Sequence, residues 1–331
     1  MRRFFVEEGG RFSGGGTAVI SNLRFAALRH NILSVEPCAE DIPFIMRNVP
    51  QDFRPVQKYV LGPQNALPWS GRGRGFNERA RTLGLRLASE YHGRRATALF
   101  RTSSAIPQLK PPEWTSPVLH NVLDEGFDAS FDESKRSRFV EAAGTIVCVG
   151  SGHSYRNRIG LLKGYMQYRN RGGELQLLLG GSAGPAIVER EVQSLARQTP
   201  GVTIHRGHIP RPQFLAALRD AAVVVLPSRV EASPLTALEA CAATPRVVVS
   251  NILGHREILE QYGRSERGGS AFFELDDPDS LASALFNAQD GGAGTEWHEH
   301  LRSSDARYQA RVKWAAALAE WLEGIAERIE T

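Results

Sequence analysis

Residues 222–226 read Ala-Val-Val-Val-Leu, and this run with the turn and helix signals after it constrains the chain more than any other stretch. An unbroken apolar run with three β-branched residues suits a strand covered on both faces, as in parallel sheets. Pro227 and Ser228 stop it. Ser233 followed by Pro234 then reads as an N-cap with proline at the first helical position, where a missing N–H costs nothing and φ is already set. The helix is expected to run to about Ala243, because Pro245 cannot continue it and disfavours a helical Thr244.

The start of that helix offers unpaired N–H groups and a partial positive charge. Around it Ser233, Leu235 and Thr236 make a cradle that favours phosphate, to which Pro234 donates nothing. Glu231 stays in the turn beside the cradle. Glu239 lies inside the helix, about 1.5 Å further along for each residue, away from a phosphate held at the cap. There its carboxylate suits ribose hydroxyls. Two carboxylates flanking a phosphate-binding helix start point to a nucleotide at one end and a polyhydroxylated group at the other.

Glu231 and Glu239 enclose seven residues, and the stretch resembles the E-x7-E signature of family 4 retaining glycosyltransferases. The similarity extends in order through residues 202–207, 214–222, Pro227-Ser228, Glu239-Ala240, 247–251, 254–258 and 273–284. It covers roughly residues 143–325, over half of the chain. The resemblance implies an α/β protein of GT-B type, with two Rossmann-like domains facing each other across a cleft and the first one shortened. It implies an acceptor-side domain over 1–127, a linker over 128–142, a nucleotide-sugar domain over 143–305 and a helix over 306–331 that crosses back to the first domain.

The resemblance further implies a hexosyltransferase that moves a sugar from a nucleoside-diphosphate donor to a hydroxyl acceptor, with retention and without a metal or other cofactor. Glu231 would hold the sugar, Glu239 the ribose, and backbone near Ile209 would read the nucleobase. The family places an Arg directly after the glycine that ends the first strand of its nucleotide half, and a Lys about five residues on. Here Ser151 replaces that Arg and Arg156 replaces the Lys. Arg156 still offers a fork of donors to a diphosphate, and Arg158 is a second candidate cation. In the first half, Gly15 and Gly16 close a glycine run after the first strand, where the family's glycine loop faces the donor diphosphate. Two rival readings stay open: a nucleotide-sugar epimerase of the same fold, and a non-catalytic scaffold with a decayed site.

At 331 residues the chain suits two domains, and 42% apolar with 23% charged residues describes a globular protein. No stretch approaches the roughly 18 uninterrupted apolar residues of a membrane span, and the first residues do not read as a signal peptide, so a cytoplasmic location is expected. Cys38, Cys148 and Cys241 are too few and too scattered for a disulfide framework or zinc site. Residues 1–127 carry 17 Arg/Lys against 11 Asp/Glu, and seven arginines fall within 72–95. That segment fits a solvated arginine-rich helix, or peripheral contact with an anionic membrane or a phosphate-bearing acceptor. Nucleic acid is not an expected partner, and oligomeric state is open.

Residues 78–91 read as an amphipathic helix with Ala80, Leu83, Leu87 and Tyr91 along its apolar side. Strands are expected near 3–7, 32–35, 44–46, 57–61, 96–100 and 117–120, and again at 145–149, 175–179, 202–204, 246–250 and 271–275. Asp277-Pro278-Asp279 spells a metal-nucleotide motif of another glycosyltransferase fold, but Asp277 before Pro278 is a good helix start and is read as one. Trp314, Leu318, Trp321, Leu322 and Ile325 mark a final amphipathic helix.

Overall fold

The computed structural model describes residues 4–6, 15–34, 42–45, 59–61, 75–132, 134–140, 144–262, 271–291 and 294–331. The chain divides into two compact units. The first comprises Met1–Gly126, Glu231–Leu235 and Asp305–Thr331; the second comprises Phe127–Val230 and Thr236–Ser304. The expected linker over 128–142 is thus counted with the second unit. The turn after residue 230 is counted with the first.

The first unit holds a parallel sheet of Phe4–Val6 (β1), Leu33–Ser34 (β2), Ile42–Ile45 (β3), Val60–Leu61 (β4), Ala98–Arg101 (β5) and Thr115–Val118 (β6), in the order β2-β1-β3-β4-β5-β6. This is the flavodoxin-like order, whose switch point lies between β1 and β3. The helices Gly15–Arg29 (α1) and Gly75–Arg95 (α2) follow β1 and β4. The C-terminal helix Ser304–Glu330 turns Trp314, Leu318, Leu322 and Ile325 inward at helical spacing, and Trp314 meets Phe100 of β5 edge-on, the centroids being 6.3 Å apart. Arg311 of the same helix is buried, donates from Nε to Asn22 Oδ1 at 3.1 Å and lies 4.1 Å over the Phe25 ring. Asn22 Nδ2 in turn donates to the Val122 carbonyl at 2.8 Å. A cation is tolerated there because a carbonyl-type acceptor and an aromatic face replace its water.

In α2 the structure overturns one expectation. Leu83, Leu87 and Tyr91 do not pack inward but stand 56%, 59% and 51% exposed. Thr82, Ser89 and Gly93 are buried instead. Small residues let a helix lie close to its neighbours, which a reading based on apolar side chains does not detect.

The second unit begins with Glu125–Ser130 (α3), whose first two residues belong to the other unit, and is built on a sheet of Thr145–Val149 (β7), Gln176–Gly181 (β8), Val202–Arg206 (β9), Val223–Leu226 (β10), Val247–Ser250 (β11) and Phe272–Phe273 (β12). All pairings are parallel and the order is β12-β11-β10-β7-β8-β9, the doubly wound Rossmann order. Every residue of β7, β10 and β11 is buried, as continuous apolar runs require. The helices are Arg158–Asn170 (α4), Ala186–Gln198 (α5), Arg211–Asp220 (α6), Leu235–Ala243 (α7), Leu253–Glu260 (α8), Pro278–Gly291 (α9) and Thr295–Leu301 (α10), and the C-terminal helix is α11. Tyr165 and Tyr168 of α4 and Leu281 and Leu285 of α9 join Ile146, Leu177 and Val223 in one core. Asp277 Oδ1 accepts the N–H groups of Asp279 and Ser280 at 3.0 Å each, so the Asp-Pro-Asp sequence starts α9.

Asp220, at the end of α6, ties residues 136 and 137 to this unit. Its buried carboxylate accepts the Ser137 N–H at 2.8 Å, Arg219 Nε at 3.0 Å and Arg136 Nη1 at 3.2 Å. Burial alone would raise its pKa, but the bonds from Arg219 and Ser137 outweigh it and hold the carboxyl below the usual range. A depressed folded-state pKa gives stability that is present above the ordinary carboxylate pKa and is lost as pH falls through the folded value. Asp220→Asn is therefore expected to cost about 2 kcal/mol at pH 7 in urea unfolding. The gap from wild type should narrow as pH drops below about 4; a gap independent of pH would contradict the charged role.

Candidate functional site

In the second sheet β7 and β10 lie side by side, and the order of connection reverses between them. Ligands of doubly wound sheets bind outside the carboxyl ends of the strands at such a point. The loops leaving these two strands are 150–157 and 227–234.

The loop after β7 is fixed first by backbone. Gly150 N–H donates to the Gly180 carbonyl at 3.0 Å and Gly152 N–H to the Ser182 carbonyl at 2.8 Å. The backbones approach so closely that a Cβ on Gly184 would lie 1.8 Å from the Gly152 oxygen. A 3₁₀ turn over Ser154–Arg156 follows, and Asn157 takes a left-handed conformation (φ 54°) before α4. Asparagine is among the few side chains that accept this geometry readily.

The loop after β10 is joined to it. Arg229 N–H donates to the Tyr155 carbonyl at 2.7 Å, and Arg229 Nε donates to Asn157 Oδ1 at 3.0 Å. The same guanidinium forms a two-pronged pair with Asp276, one bond of 2.8 Å among them. Arg156 Nη1 lies 3.4 Å from Ser228 Oγ, its guanidinium sits 5.2 Å over the Tyr155 ring, and its stem passes Gly150. Arg156 thus stands half-buried at the ends of both strands, where its loop placed it in the sequence. Ser250 at the end of β11 donates its hydroxyl proton to the Ser228 carbonyl, and His255 Nδ1 lies 3.0 Å from the Ser250 carbonyl, bracing the floor beneath.

Arg158, the second candidate cation, is turned inward. It is 3% exposed, and its Nη2 donates to the carbonyls of Gly150 at 2.6 Å and Gly180 at 2.9 Å. Its Nη1 is 3.9 Å from Glu189, which also accepts the Gly184 N–H at 2.9 Å. These bonds join the ends of β7 and β8, so the visible task of Arg158 is to brace the two glycine loops. Burial holds the neighbouring Cys148 thiol up at about 11, against the lowering effect of Arg158 and Arg156, so it stays protonated.

Glu239 is buried in the middle of α7, with Oε1 2.7 Å from Arg211 Nη1 at the start of α6. Ile209, two residues before Arg211, lies against Gly180 at the end of β8, beside Val149. Ile209, Arg211 and Glu239 therefore extend the ends of β7 and β8 with one apolar and two charged groups. Arg211, Arg229 and Asn157 were not singled out in the sequence. Their partners lie 28, 47 and 72 residues away, where no local spacing rule reaches.

The start of α7 differs from expectation by one residue. The helix begins at Leu235, not Pro234, and the Ser233 hydroxyl accepts the Asn121 N–H at 2.8 Å while the Ser233 carbonyl accepts Asn121 Nδ2 at 2.9 Å. A donor 112 residues away takes the oxygen that was read as the cap. Ser233 and Leu235 are buried and Thr236 and Glu231 partly so. Gly15 and Gly16 fall in the first turn of α1, which follows β1 at the switch point of the first sheet, and the rest of the glycine run, 9–14, lies outside the described residues. Among the described residues no three His, Cys, Asp or Glu side chains converge as a metal-ion set, and no helix is long and apolar enough to cross a membrane.

Comparisons with known proteins bear on the fold and on the second unit. Residues 143–289 match the family model described as Glycosyl transferases group 1. The structure is similar to alpha,alpha-trehalose 6-phosphate synthase from Burkholderia multivorans, with a TM-score of 0.61 at 13% identity over 97% of this chain and 79% of that one. It is similar to the N-terminal domain of trehalose-6-phosphate phosphatase from Candida albicans, with a TM-score of 0.60 at 13% identity over 96% and 78%. It is also similar to a variant of S. aureus TarM in complex with Fondaparinux, alpha-GlcNAc-glycerol and UDP, with a TM-score of 0.54 at 11% identity over 81% and 50%. No curated protein sequence matches. The fold is of the GT-B type, and the domain match within it defines the enzyme class: the protein is a glycosyltransferase.

Proposed function

We propose that the protein is a retaining glycosyltransferase of the family 4 kind, moving a sugar from a nucleoside-diphosphate donor to a hydroxyl acceptor without a divalent metal. The observation that carries the reading is the pair of stitched loops at the β7–β10 switch point, which holds Arg156 at both strand ends. In this reading the diphosphate lies against Arg156 and the start of α7, where a guanidinium fork and helix N–H groups meet the charge that grows on the leaving phosphate. Glu239 accepts the ribose hydroxyls, and its ion pair with Arg211 orients the carboxylate. Ile209 flanks the base, with Ser233, Leu235 and Thr236 beside the phosphates.

As the bond from the sugar C1 to the diphosphate oxygen breaks, the acceptor oxygen bonds to C1 on the same face. The acceptor proton passes to the departing phosphate oxygen. Glu231 holds the sugar hydroxyls and balances positive charge at C1. Arg158 serves indirectly, by holding the glycine loops that carry Arg156.

Calorimetric titration with UDP, GDP, ADP and their sugar conjugates, first without metal and then with magnesium, tests the proposal. One nucleotide is expected to bind selectively without metal; no binding at millimolar concentration would favour a decayed scaffold. Glu239→Ala removes a charged acceptor and leaves the Arg211 guanidinium without that carboxylate. The selected nucleotide should then bind about tenfold to a hundredfold more weakly. Unchanged affinity would take Glu239 out of the ribose role.

A further inference from the structure

Among the described residues, the outward face of α2 stands apart from the rest of the surface. Leu83, Leu87 and Tyr91 follow one another at intervals of four residues, which aligns them on one side of a helix, and all three are more than half exposed. Ala80, on the same side, is exposed as well. The other large exposed apolar side chains, Leu28, Ile187, Leu253 and Tyr308, do not form such a row. Exposed apolar residues standing singly are ordinary, whereas an aligned row on one helix marks a surface that meets something.

Charge says what it meets. Exposed Arg79, Arg86, Arg94 and Arg95 stand on or beside the row, and α2 as a whole has five arginines against two glutamates. One of those glutamates, Glu90, is paired with Arg86 at 2.8 Å. Arg95 lies 5.2 Å over the Tyr91 ring, so a cation and an amphipathic aromatic stand together at the end of the row. Leucines with a tyrosine at one end and arginines alongside match the boundary of an anionic bilayer. Apolar side chains there enter the acyl region, while guanidinium groups reach phosphate and tyrosine stays at headgroup level. A second copy of the chain would bring the same arginines against each other. A nucleic acid would leave the leucines exposed.

We propose that the Leu83–Leu87–Tyr91 face of α2 docks on a membrane surface rich in anionic lipid, with its arginines against the headgroup phosphates. The docking is independent of which nucleotide the second unit takes. It assigns an occupant to the arginine-rich segment, which the sequence left open between solvent, an anionic membrane and a phosphate-bearing acceptor.

The test is co-sedimentation of the full chain with vesicles of phosphatidylcholine alone or of phosphatidylcholine with phosphatidylglycerol. Wild type should partition at least about tenfold more strongly onto the anionic vesicles, and the excess should fade with added salt. The double variant Leu83→Gln/Leu87→Gln should lose about tenfold or more of that binding while keeping its thermal melt, because both side chains stand in solvent. Arg94→Gln/Arg95→Gln should lose a similar factor on anionic vesicles only. Three results would overturn the proposal: wild type remaining in the supernatant with both vesicles, leucine and arginine variants that bind like wild type, or a dimer in solution that Leu83→Gln/Leu87→Gln dissociates.

Discussion

Arg156→Ala is expected to lower kcat/KM for sugar transfer by about 10²- to 10³-fold while shifting the urea midpoint little. The rate estimate follows from what a single well-placed donor contributes when charge develops on a leaving group in a water-poor site. The small stability effect follows from geometry. The Arg156 guanidinium is half-buried, its bond to Ser228 Oγ is long at 3.4 Å, and the two loops remain joined by Arg229 through Tyr155 and Asn157. Arg156→Lys should recover only part of the loss, because an ammonium keeps the charge but not the paired donors. A wild-type rate in Arg156→Ala would remove the residue from the diphosphate role.

Gly184→Ala is expected to destabilise the second unit by about 3 kcal/mol, since overpacking against rigid neighbours has costs of that order. The added Cβ would lie 1.8 Å from the Gly152 oxygen and 2.3 Å from its carbonyl carbon. Both are backbone atoms and cannot rotate away. The loops would have to part, straining the bond from Gly152 N–H to Ser182 and that from Gly184 N–H to Glu189. Nucleotide affinity should fall with stability, because Arg156 rides on the displaced loop. An unchanged urea midpoint would show that the loops are held more loosely than their contacts imply.

Much of the second unit was legible because its strands carry their burial in composition. Residues 222–226 and 247–249 are apolar runs, and β10 and β11 are buried throughout. Pro227, Pro245 and Asp277-Pro278 mark ends and starts by stereochemistry alone, and α7 and α9 begin and stop near them. What escaped was set by partners far away in the chain. Ser233 looked like a cap until Asn121 supplied a donor, and Arg158 read as a second cation for the diphosphate until the carbonyls of Gly150 and Gly180 took it in. The ion pair of Arg211 with Glu239 has no sequence signature. In α2 the periodicity gave the row of apolar residues correctly but not its direction, because the buried side is made of Thr82, Ser89 and Gly93.

The central claim is that the donor nucleotide is held at the β7–β10 switch point of the second unit. Hydrogen–deuterium exchange with and without the nucleotide selected by calorimetry tests it most directly. Slowed exchange is predicted in residues 150–157, around 207–211, and from 228 into the first turns of α7. Protection absent from all three segments, with nucleotide bound, would contradict the account.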